Sequence, residues 1–239
     1  MAKKLGIIGG LGPVATAYFY ELISRMTDAY IDQDHIDIDI ISKPTIPDRT
    51  DYILGRSSCS PLPHMIDIGK TLESMGADYI AIPCITAHYF HKELSDNIMI
   101  PIIYIIDETI QYLNKHGIKN VGIMATEGTI ESGLFQKELS KAGIIPIIPS
   151  KQKQALVTSL IYKNVKAGLP ANMEWFRQVT DELVVNGAEI IVLGCTELSL
   201  IKRDNEIGSG FIDCLEVLAM CSVTKCEASL KSEYLNLIS

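Results

Sequence analysis

Two cysteines occupy matching positions in a repeated segment of the sequence. Residues 76–84 (GADYIAIPC) and residues 187–195 (GAEIIVLGC) align without a gap and end at Cys84 and Cys195. Each copy consists of Gly-Ala, an acidic residue, an apolar run and a cysteine. Cysteine is an uncommon residue at the end of such a run, so its recurrence indicates a shared role.

The two thiols suit the removal of a proton from one face of a carbon and its delivery to the other face. Both follow a predicted strand, and ligands of open α/β sheets bind beyond the carboxyl ends of the strands. A thiolate acts as a base and a thiol as an acid, so two thiols on opposite sides of a planar centre predict racemisation. Thr86 and Thr196 are expected to donate hydrogen bonds to the enediolate-like carboxylate that forms. Two alternatives stay open: buried cysteines that only pack, and a redox pair that peroxide oxidises reversibly.

Apolar runs alternate with amphipathic stretches along the chain, as in βαβ units. Runs rich in β-branched residues predict strands at 5–8, 36–41, 79–82, 102–105, 121–124 and 190–193. Amphipathic stretches predict helices at 13–26, 63–75, 108–115, 128–142, 152–166, 173–185 and 214–225. Because strands separated by helices form parallel sheets, the expected fold class is α/β, with largely parallel sheets flanked by helices.

The repeat also predicts two similar, pseudo-symmetric lobes. A second match pairs Lys4–Gly9 (KLGIIG) with Asn120–Ala125 (NVGIMA) at a similar offset. We expect a first lobe formed by residues 1–104 plus 212–239 and a second lobe formed by residues 105–211. The active site is expected in the cleft between them.

The composition limits the classes of partner. The chain has 239 residues, 47% of them hydrophobic, and a formal net charge of −8. This acidic balance disfavours nucleic acid and anionic membranes as partners, and no apolar run approaches the ~18 residues of a membrane span. The start of the chain lacks a signal-peptide pattern, so a cytoplasmic protein is expected. None of the six cysteines forms a CxxC pair, so we expect free thiols and no metal site.

A glycine-rich loop, Gly10-Leu-Gly-Pro-Val-Ala15, joins the first predicted strand to the first predicted helix. It fits the loose dinucleotide pattern G-x-G-x-x-G/A, and thermal protection by NAD(P) would test that interpretation. Pro13 suits the first position of a helix, and the free amides there also bind carboxylates. We interpret the loop as a substrate-carboxylate site, with backbone amides near Leu11.

Seven motifs in chain order resemble those of the aspartate/glutamate racemase family, in particular its aspartate racemases. They are GGLGPVAT (9–16), DQDH (32–35), IPDRT (46–50), PCITAH (83–88), ATEGT (125–129), VKAG (165–168) and GCTELS (194–199). The resemblance extends from about residue 4 to residue 218. It implies two similar α/β lobes, a homodimer, and a two-base cysteine mechanism without pyridoxal phosphate or metal.

The resemblance implies roles for individual residues as well. In the family pattern, Cys84 and Cys195 correspond to the two acid/base thiols. Arg49 and Lys166 correspond to the cations that hold the substrate carboxylates. Thr129 corresponds to a residue that reaches the cleft. These cations suit an acidic amino acid, because Arg binds a carboxylate bidentately and Lys supplies a point charge.

Three further residues stand near the cysteines in the sequence. Glu197 either orients a proton at Cys195 or caps the start of a helix. His88 and His91 have helical spacing, for which a surface or capping role is the simple interpretation. Alternatively, His88 favours the thiolate of Cys84.

The sequence departs from the family pattern beside the first cysteine. Ile85 replaces the usual asparagine, which removes a hydrogen-bonding side chain from the wall that selects the substrate. Ser42-Lys43 and Cys214 also replace family residues. The leading hypothesis is therefore a cofactor-independent racemase that acts on aspartate, or on glutamate or a related amino acid.

Two other functions stay open on the same residues. One is a non-catalytic amino-acid-binding or regulatory relative, which would bind an amino acid without exchanging its Cα proton. The other is an isomerase or lyase of the same superfamily that acts on a hydantoin or a dicarboxylate. Deuterium exchange at Cα in D₂O, measured on a panel of substrates, discriminates among them.

Overall fold

The computed structural model describes residues 3–239, in which seven strands form two parallel sheets. Residues 1 and 2, where the predicted first lobe begins, lie outside the described residues. The strands are β1 (Leu5–Gly9), β2 (Ile38–Ser42), β3 (Tyr79–Ala81), β4 (Asn120–Ala125), β5 (Ile145–Ile147), β6 (Ile190–Gly194) and β7 (Phe211–Asp213). Their orders are β2-β1-β3 and β5-β4-β6-β7, and all pairs are parallel. The predicted α/β fold class is confirmed.

Helices flank both sheets. They are α1 (Pro13–Met26), α2 (Arg49–Ile53), α3 (Leu62–Ser74), α4 (His91–Asn97), α5 (Ile105–Lys115), α6 (Glu127–Ser132), α7 (Leu134–Lys141), α8 (Lys151–Ser159), α9 (Met173–Val185), α10 (Thr196–Asp204) and α11 (Cys214–Lys225). The predicted bounds of α1, α9 and α11 are confirmed. Between residues 3 and 239, none of the helices combines the length and the apolar composition needed to traverse a lipid bilayer.

The predicted strand at 102–105 and the predicted helix at 128–142 differ in kind from the structure. The run 102–105 is not a strand, because Ile102 makes a single parallel bridge to Ile80 and the chain then enters α5. The predicted helix 128–142 is divided into α6 and α7 by Gly133, whose φ of 67° lies in the left-handed region. A glycine adopts that conformation without steric cost, and it ends one helix so that the next can begin in a new direction.

The predicted helix 152–166 changes its hydrogen bonding before it ends. It is α-helical to Ser159, continues as a π-helical turn over Leu160–Asn164, and finishes as a 3₁₀ turn over Val165–Ala167. We call Leu160–Asn164 the π turn. Such turns carry one extra residue per turn and are frequent at functional sites.

One apolar core connects the two sheets. Its largest cluster joins Leu5 and Ile7 of β1 to Val121 and Ile123 of β4 through side chains of α1, α5 and α11. Successive strand side chains point to opposite faces, so the other face of each sheet carries its own cluster, against α3 in the first sheet and α9 in the second.

The chain leaves the second sheet at Asp213. β7 pairs with β6, whereas α11, which follows directly, packs mainly against α1 and α5. The predicted lobe boundary between residues 211 and 212 thus falls inside β7, and the residue ranges of the two lobes stay a prediction.

Candidate active site

Cys84 and Cys195 lie beyond the carboxyl ends of β3 and β6, one from each sheet. Cys195 directly follows β6 and is the N-cap residue of α10. Cys84 follows β3 after a short link and immediately precedes a 3₁₀ turn, Ile85–Phe90. Because ligands of parallel sheets bind at this edge, the fold presents both thiols on the side where a substrate is expected.

Both cysteines line one narrow cavity, which we call the inner cavity; its empty space of about 260 Å³ includes space open to solvent. Its walls are formed by Leu11, Asp48, Arg49, Thr50, Cys84, Ile85, Thr86, Thr126, Tyr162, Lys166, Cys195, Thr196 and Glu197. A wider outer pocket of about 800 Å³, which includes space open to solvent, shares five of these residues: Leu11, Asp48, Arg49, Lys166 and Glu197. The predicted site residues therefore converge on one cavity, apart from Thr129 and His88.

Cys195 is a buried thiol that donates a hydrogen bond to a carboxylate. Its Sγ lies 2.9 Å from Oε2 of Glu197, which also accepts a bond from the Thr196 hydroxyl at 3.3 Å. Burial and the Glu197 carboxylate raise the pKa of Cys195 well above its ordinary value, and Lys166 opposes them. The Cys195 sulfur therefore holds its proton at neutral pH, so that it can act as an acid.

Arg49 begins α2 and is buried in the wall of the cavity that Cys84 also lines. Its Nη2 donates to the Leu11 carbonyl at 2.9 Å, and its Nη1 donates to the Pro47 carbonyl at 3.2 Å. Burial lowers the pKa of Arg49, but the Cys84 sulfur and the Asp48 carboxylate raise it by more. The guanidinium is therefore a positive charge that backbone carbonyls hold in the wall of the inner cavity.

Lys166 lies where the inner cavity meets the outer pocket. Its Nζ is 3.9 Å from Oδ2 of Asp48, 3.9 Å from Oε1 of Glu197 and 4.5 Å from the centre of the Tyr162 ring. These ion pairs are long, so the ammonium group can approach a bound anion without breaking a short contact.

Asp48 and Tyr162 are cavity residues that the sequence reasoning missed. The sequence does carry a signal for Asp48, because aspartate is a preferred N-cap residue at the start of a helix. In the structure its side chain accepts the backbone N–H of Asp51 and caps α2. Tyr162 lies within the π turn, and its hydroxyl is 3.5 Å from both carboxylate oxygens of Asp48. Nothing in the local pattern distinguishes it from a packing residue.

Comparison with known proteins decides the family of this chain. A family model described as Asp/Glu/hydantoin racemase matches residues 8–221. The chain belongs to the Asp/Glu/hydantoin racemase family. It is an amino-acid racemase, as its motifs predict.

Two solved structures and one curated relative illustrate the similarity. The Picrophilus torridus aspartate racemase is 34% identical, with a TM-score of 0.85 and 98% of each chain covered. An aspartate racemase homologue from Pyrococcus horikoshii OT3 is 25% identical, with a TM-score of 0.76 over 94% of this chain and 99% of that one. The broad specificity amino-acid racemase RacX of Bacillus subtilis (strain 168) is 29% identical over 224 residues, which are 92% of this chain and 96% of the relative.

Three threonine hydroxyls connect the two sides of the racemase site. The Oγ1 atom of Thr86 lies 2.9 Å from that of Thr126 and 3.1 Å from that of Thr129, and the last two are 3.0 Å apart. Thr126 caps α6 by accepting the backbone N–H of Thr129. Thr86 and Thr126 line the inner cavity, whereas Thr129 is fully buried and bonds to both of them.

Leu11 and Ile85 are apolar parts of the wall. Ile85 is 2% exposed and belongs to the shared core, while Leu11 is 3% exposed. The predicted carboxylate loop lines the outer pocket. In it, a Cβ atom on Gly12 would lie 3.0 Å from Oε1 of Glu197, so glycine at this position lets the Glu197 carboxylate approach the start of α1.

His88 lies outside the inner cavity and carries no charge. Burial lowers its pKa to about 3, so a neutral imidazole cannot attract a thiolate, and the predicted charge effect of His88 on Cys84 is wrong. Its Nε2 lies 3.1 Å from the carbonyl oxygen of Ile82, which also accepts the backbone N–H of Cys84 at 2.7 Å. His88 therefore contacts the backbone turn that carries Cys84.

Proposed function

We propose that this racemase interconverts L- and D-aspartate by a two-base mechanism in which Cys84 and Cys195 exchange a proton with Cα. The observation that carries the proposal is the inner cavity, where a cysteine from each sheet lines the same space as Arg49 and Lys166. Proton transfer between side chains and substrate is sufficient for this reaction, so the proposal assigns no step to pyridoxal phosphate or to a metal.

The two cysteines take up and supply all the protons that the reaction needs. One cysteine, as the thiolate, takes the Cα proton and becomes a thiol, and the electron pair delocalises into the substrate carboxylate. The other cysteine, as a thiol, delivers its proton to the opposite face and becomes a thiolate. Hydroxyls such as Thr86 and Thr196 stabilise the enediolate-like charge, where hydrogen bonds contribute most to the rate.

The charges of the cavity favour an acidic substrate. Arg49 and Lys166 are balanced by Asp48 and Glu197 before any ligand binds, and the long contacts of Lys166 leave it available to a second carboxylate. A charge-assisted hydrogen bond of this kind contributes about 1.5–3 kcal/mol. Aspartate therefore gains more than an uncharged amino acid of the same size.

A broader substrate range is the second candidate, and Ile85 is the observation that favours it. An isoleucine beside Cys84 makes this part of the wall apolar, so it does not require a polar side chain on the substrate. The Bacillus subtilis relative is named for broad specificity, which is consistent with such a range here. A homodimer in the cytoplasm is part of the same proposal, and light scattering of the purified protein tests the dimer.

The test is Cα deuterium incorporation in D₂O with a pool of the twenty amino acids, followed by chiral analysis of each product. We expect exchange into aspartate, and loss of at least 100-fold in Cys84→Ser and in Cys195→Ser, because serine is a far weaker acid and base. Cys59→Ser is the matched control, since Cys59 is an exposed free thiol. Full activity in either active-site variant would falsify the two-base mechanism.

A further inference from the structure

We propose that His88 positions Cys84 for proton transfer by holding the backbone turn that carries the thiol. This inference rests on the proposed two-thiol mechanism and adds to it a residue that does not line the inner cavity. His88 is a positioning residue in this proposal, because its imidazole acts on Cys84 through the carbonyl group of Ile82.

The link between β3 and Cys84 is a three-residue turn with a proline at its centre. The backbone N–H of Cys84 donates to the Ile82 carbonyl, with 2.7 Å between nitrogen and oxygen, and a bond of this span defines a γ-turn. The ring of Pro83 fixes its φ at about −65°, close to the value of about −75° in the common form of this turn. The direction in which the chain reaches Cys84 therefore depends on the Ile82 carbonyl.

His88 supplies a second hydrogen bond to the same carbonyl. Its Nε2 lies 3.1 Å from the Ile82 oxygen. Because a carbonyl oxygen only accepts hydrogen bonds, Nε2 carries the proton and Nδ1 of the neutral ring does not. The two lone pairs of the Ile82 oxygen are then both in use, so this peptide group cannot rotate without breaking two hydrogen bonds.

The His88 ring is itself held in place by packing. His88 is 1% exposed, and its ring centre lies 5.8 Å from that of Tyr104 and 6.3 Å from that of His91. The rings of His91 and Tyr104 stack on each other at 4.2 Å. Nδ1 of His88 has no hydrogen-bond partner within residues 3–239, so the polar contact that orients the ring is the one to Ile82.

The position of the turn matters because proton transfer requires the thiol within hydrogen-bond reach of the proton that it takes or gives. A misplacement of about 1 Å lowers a rate by up to about 100-fold. Arg49 and Lys166, the proposed cations for the substrate, belong to other segments. Loss of the His88 contact should therefore lower kcat and leave KM nearly unchanged.

Glutamine and asparagine at position 88 test the inference, because they place an amide donor at different points. The amide nitrogen of glutamine lies about as far along the side chain as Nε2 of histidine, whereas that of asparagine lies near the position of Nδ1. His88→Gln should keep kcat for aspartate within about 3-fold, and His88→Asn should lower kcat by about 10-fold or more with little change in KM.

Two further variants support this comparison. His91→Asn is the matched control and should change kcat by less than about 2-fold, since the His91 ring stacks on Tyr104 instead. His88→Phe keeps an aromatic ring against Tyr104 and removes the donor. It should behave like His88→Asn, and it takes the place of that variant if asparagine prevents folding.

A substrate analogue that needs only one thiol assigns the effect to Cys84. With threo-3-chloroaspartate, one thiolate takes the Cα proton, the electron pair forms a carbon–carbon double bond, and chloride leaves. No second thiol delivers a proton, so each enantiomer reports on one cysteine, and Cys84→Ser identifies the enantiomer that depends on Cys84. His88→Asn should slow elimination from that enantiomer by about 10-fold or more and from its mirror image by less than about 2-fold.

Hydrogen exchange of the Cys84 amide gives a readout that requires no turnover. The Ile82 carbonyl holds this amide, so the exchange rate measured by NMR should rise by about 10-fold or more in His88→Asn and stay near the original value in His88→Gln. The amides of β6, which belongs to the other sheet, provide the internal reference and should not change.

The outcomes separate this inference from the proposed function. Equal kcat in the glutamine and asparagine variants overturns the inference, as does equal slowing of both chloroaspartate enantiomers or an unchanged Cys84 amide in His88→Asn. A Cys84 amide that responds as expected, in a protein that racemises no amino acid, would overturn the proposed function and keep the role of His88 in holding the turn.

Discussion

Asp213 is a buried residue that ends β7 and caps the start of α11. Its Oδ1 accepts bonds from the Ser199 hydroxyl at 2.7 Å and from the Leu215 N–H at 2.8 Å, while Oδ2 has no hydrogen-bond partner in the described part of the chain. Burial and the nearby Glu216 carboxylate raise the pKa of Asp213 to about 7. Asp213 therefore keeps its proton in the folded state up to a much higher pH than an ordinary aspartate does.

The raised pKa of Asp213 predicts a specific dependence of stability on pH. Between about pH 4 and pH 7 the folded state keeps a proton that the unfolded state releases, so the free energy of unfolding falls as pH rises. The fall is on the order of 2–4 kcal/mol. Asp213→Asn keeps the acceptor for Ser199 and Leu215 and should abolish this fall, as measured by urea unfolding. An unchanged slope in the variant would contradict the assignment.

Lys166 gives the residue-scale prediction for substrate choice. Lys166→Met should raise KM for aspartate by about 10–100-fold, because a charge-assisted contact contributes about 1.5–3 kcal/mol, and should affect an uncharged substrate much less. Lys163→Met, an exposed lysine of the same segment, is the matched control. Equal losses for charged and uncharged substrates would show that Lys166 has no role in recognising the second carboxylate.

At the scale of elements, α6 meets α2 through a glycine. A Cβ atom on Gly128 would lie 2.9 Å from the Cα of Thr50, the residue that follows Arg49 in α2. Glycine is therefore required here for close approach of two backbones, one on each side of the inner cavity.

Gly128→Ala should displace α2 and with it Arg49. We expect a loss of about 1–3 kcal/mol in the free energy of unfolding, as for overpacking elsewhere, together with at least a 10-fold fall in kcat/KM. Glu131→Ala on the exposed side of the same helix is the control and should change neither quantity appreciably. Retained activity in the Gly128 variant would contradict the close approach.

The elements differ in how far the sequence predicts them. Helices α1, α9 and α11 begin at residues with clear starting signals, namely Pro13 at the first position and the capping side chains of Asn172 and Asp213. Strands β5 and β7 have only three residues each and are not predicted, whereas the equally short β3 lies in the repeated segment that ends at Cys84. The left-handed turn at Gly133 depends on packing that no local pattern reveals.

The candidate site, like the elements, is predicted by the sequence only in part. The internal repeat identifies Cys84 and Cys195, and the family resemblance adds Arg49 and Lys166, all of which line the inner cavity. The bond from Arg49 to the Leu11 carbonyl joins segments 38 residues apart, and the hydrogen bond from the Cys195 thiol to Glu197 depends on the backbone geometry at the start of α10. Those contacts exist only after folding, so residue type and spacing alone do not predict them.

At the scale of the whole molecule, the cavity lies between loops of two sheets that share one core. A ligand that contacts both sides stabilises the folded chain by RT ln(1 + [L]/Kd), about 2.7 kcal/mol at a concentration of 100 Kd. For a chain of this length the melting temperature should rise by about 5–10 °C. Aspartate of either enantiomer should give this shift and asparagine a smaller one. Equal shifts would favour the broad-specificity candidate.

The π turn lets the segment before Lys166 differ in length without moving the lysine. A π turn holds one residue more than an α-helical turn, so deleting one residue from Leu160–Asn164 and restoring regular α-helical pairing would leave the direction of the chain after it nearly unchanged. Only side chains inside the turn, such as that of Tyr162, would take new directions, and Lys166 would still reach the cavity. An alignment of this chain with its relatives must therefore allow a one-residue gap in this short stretch to match the lysine.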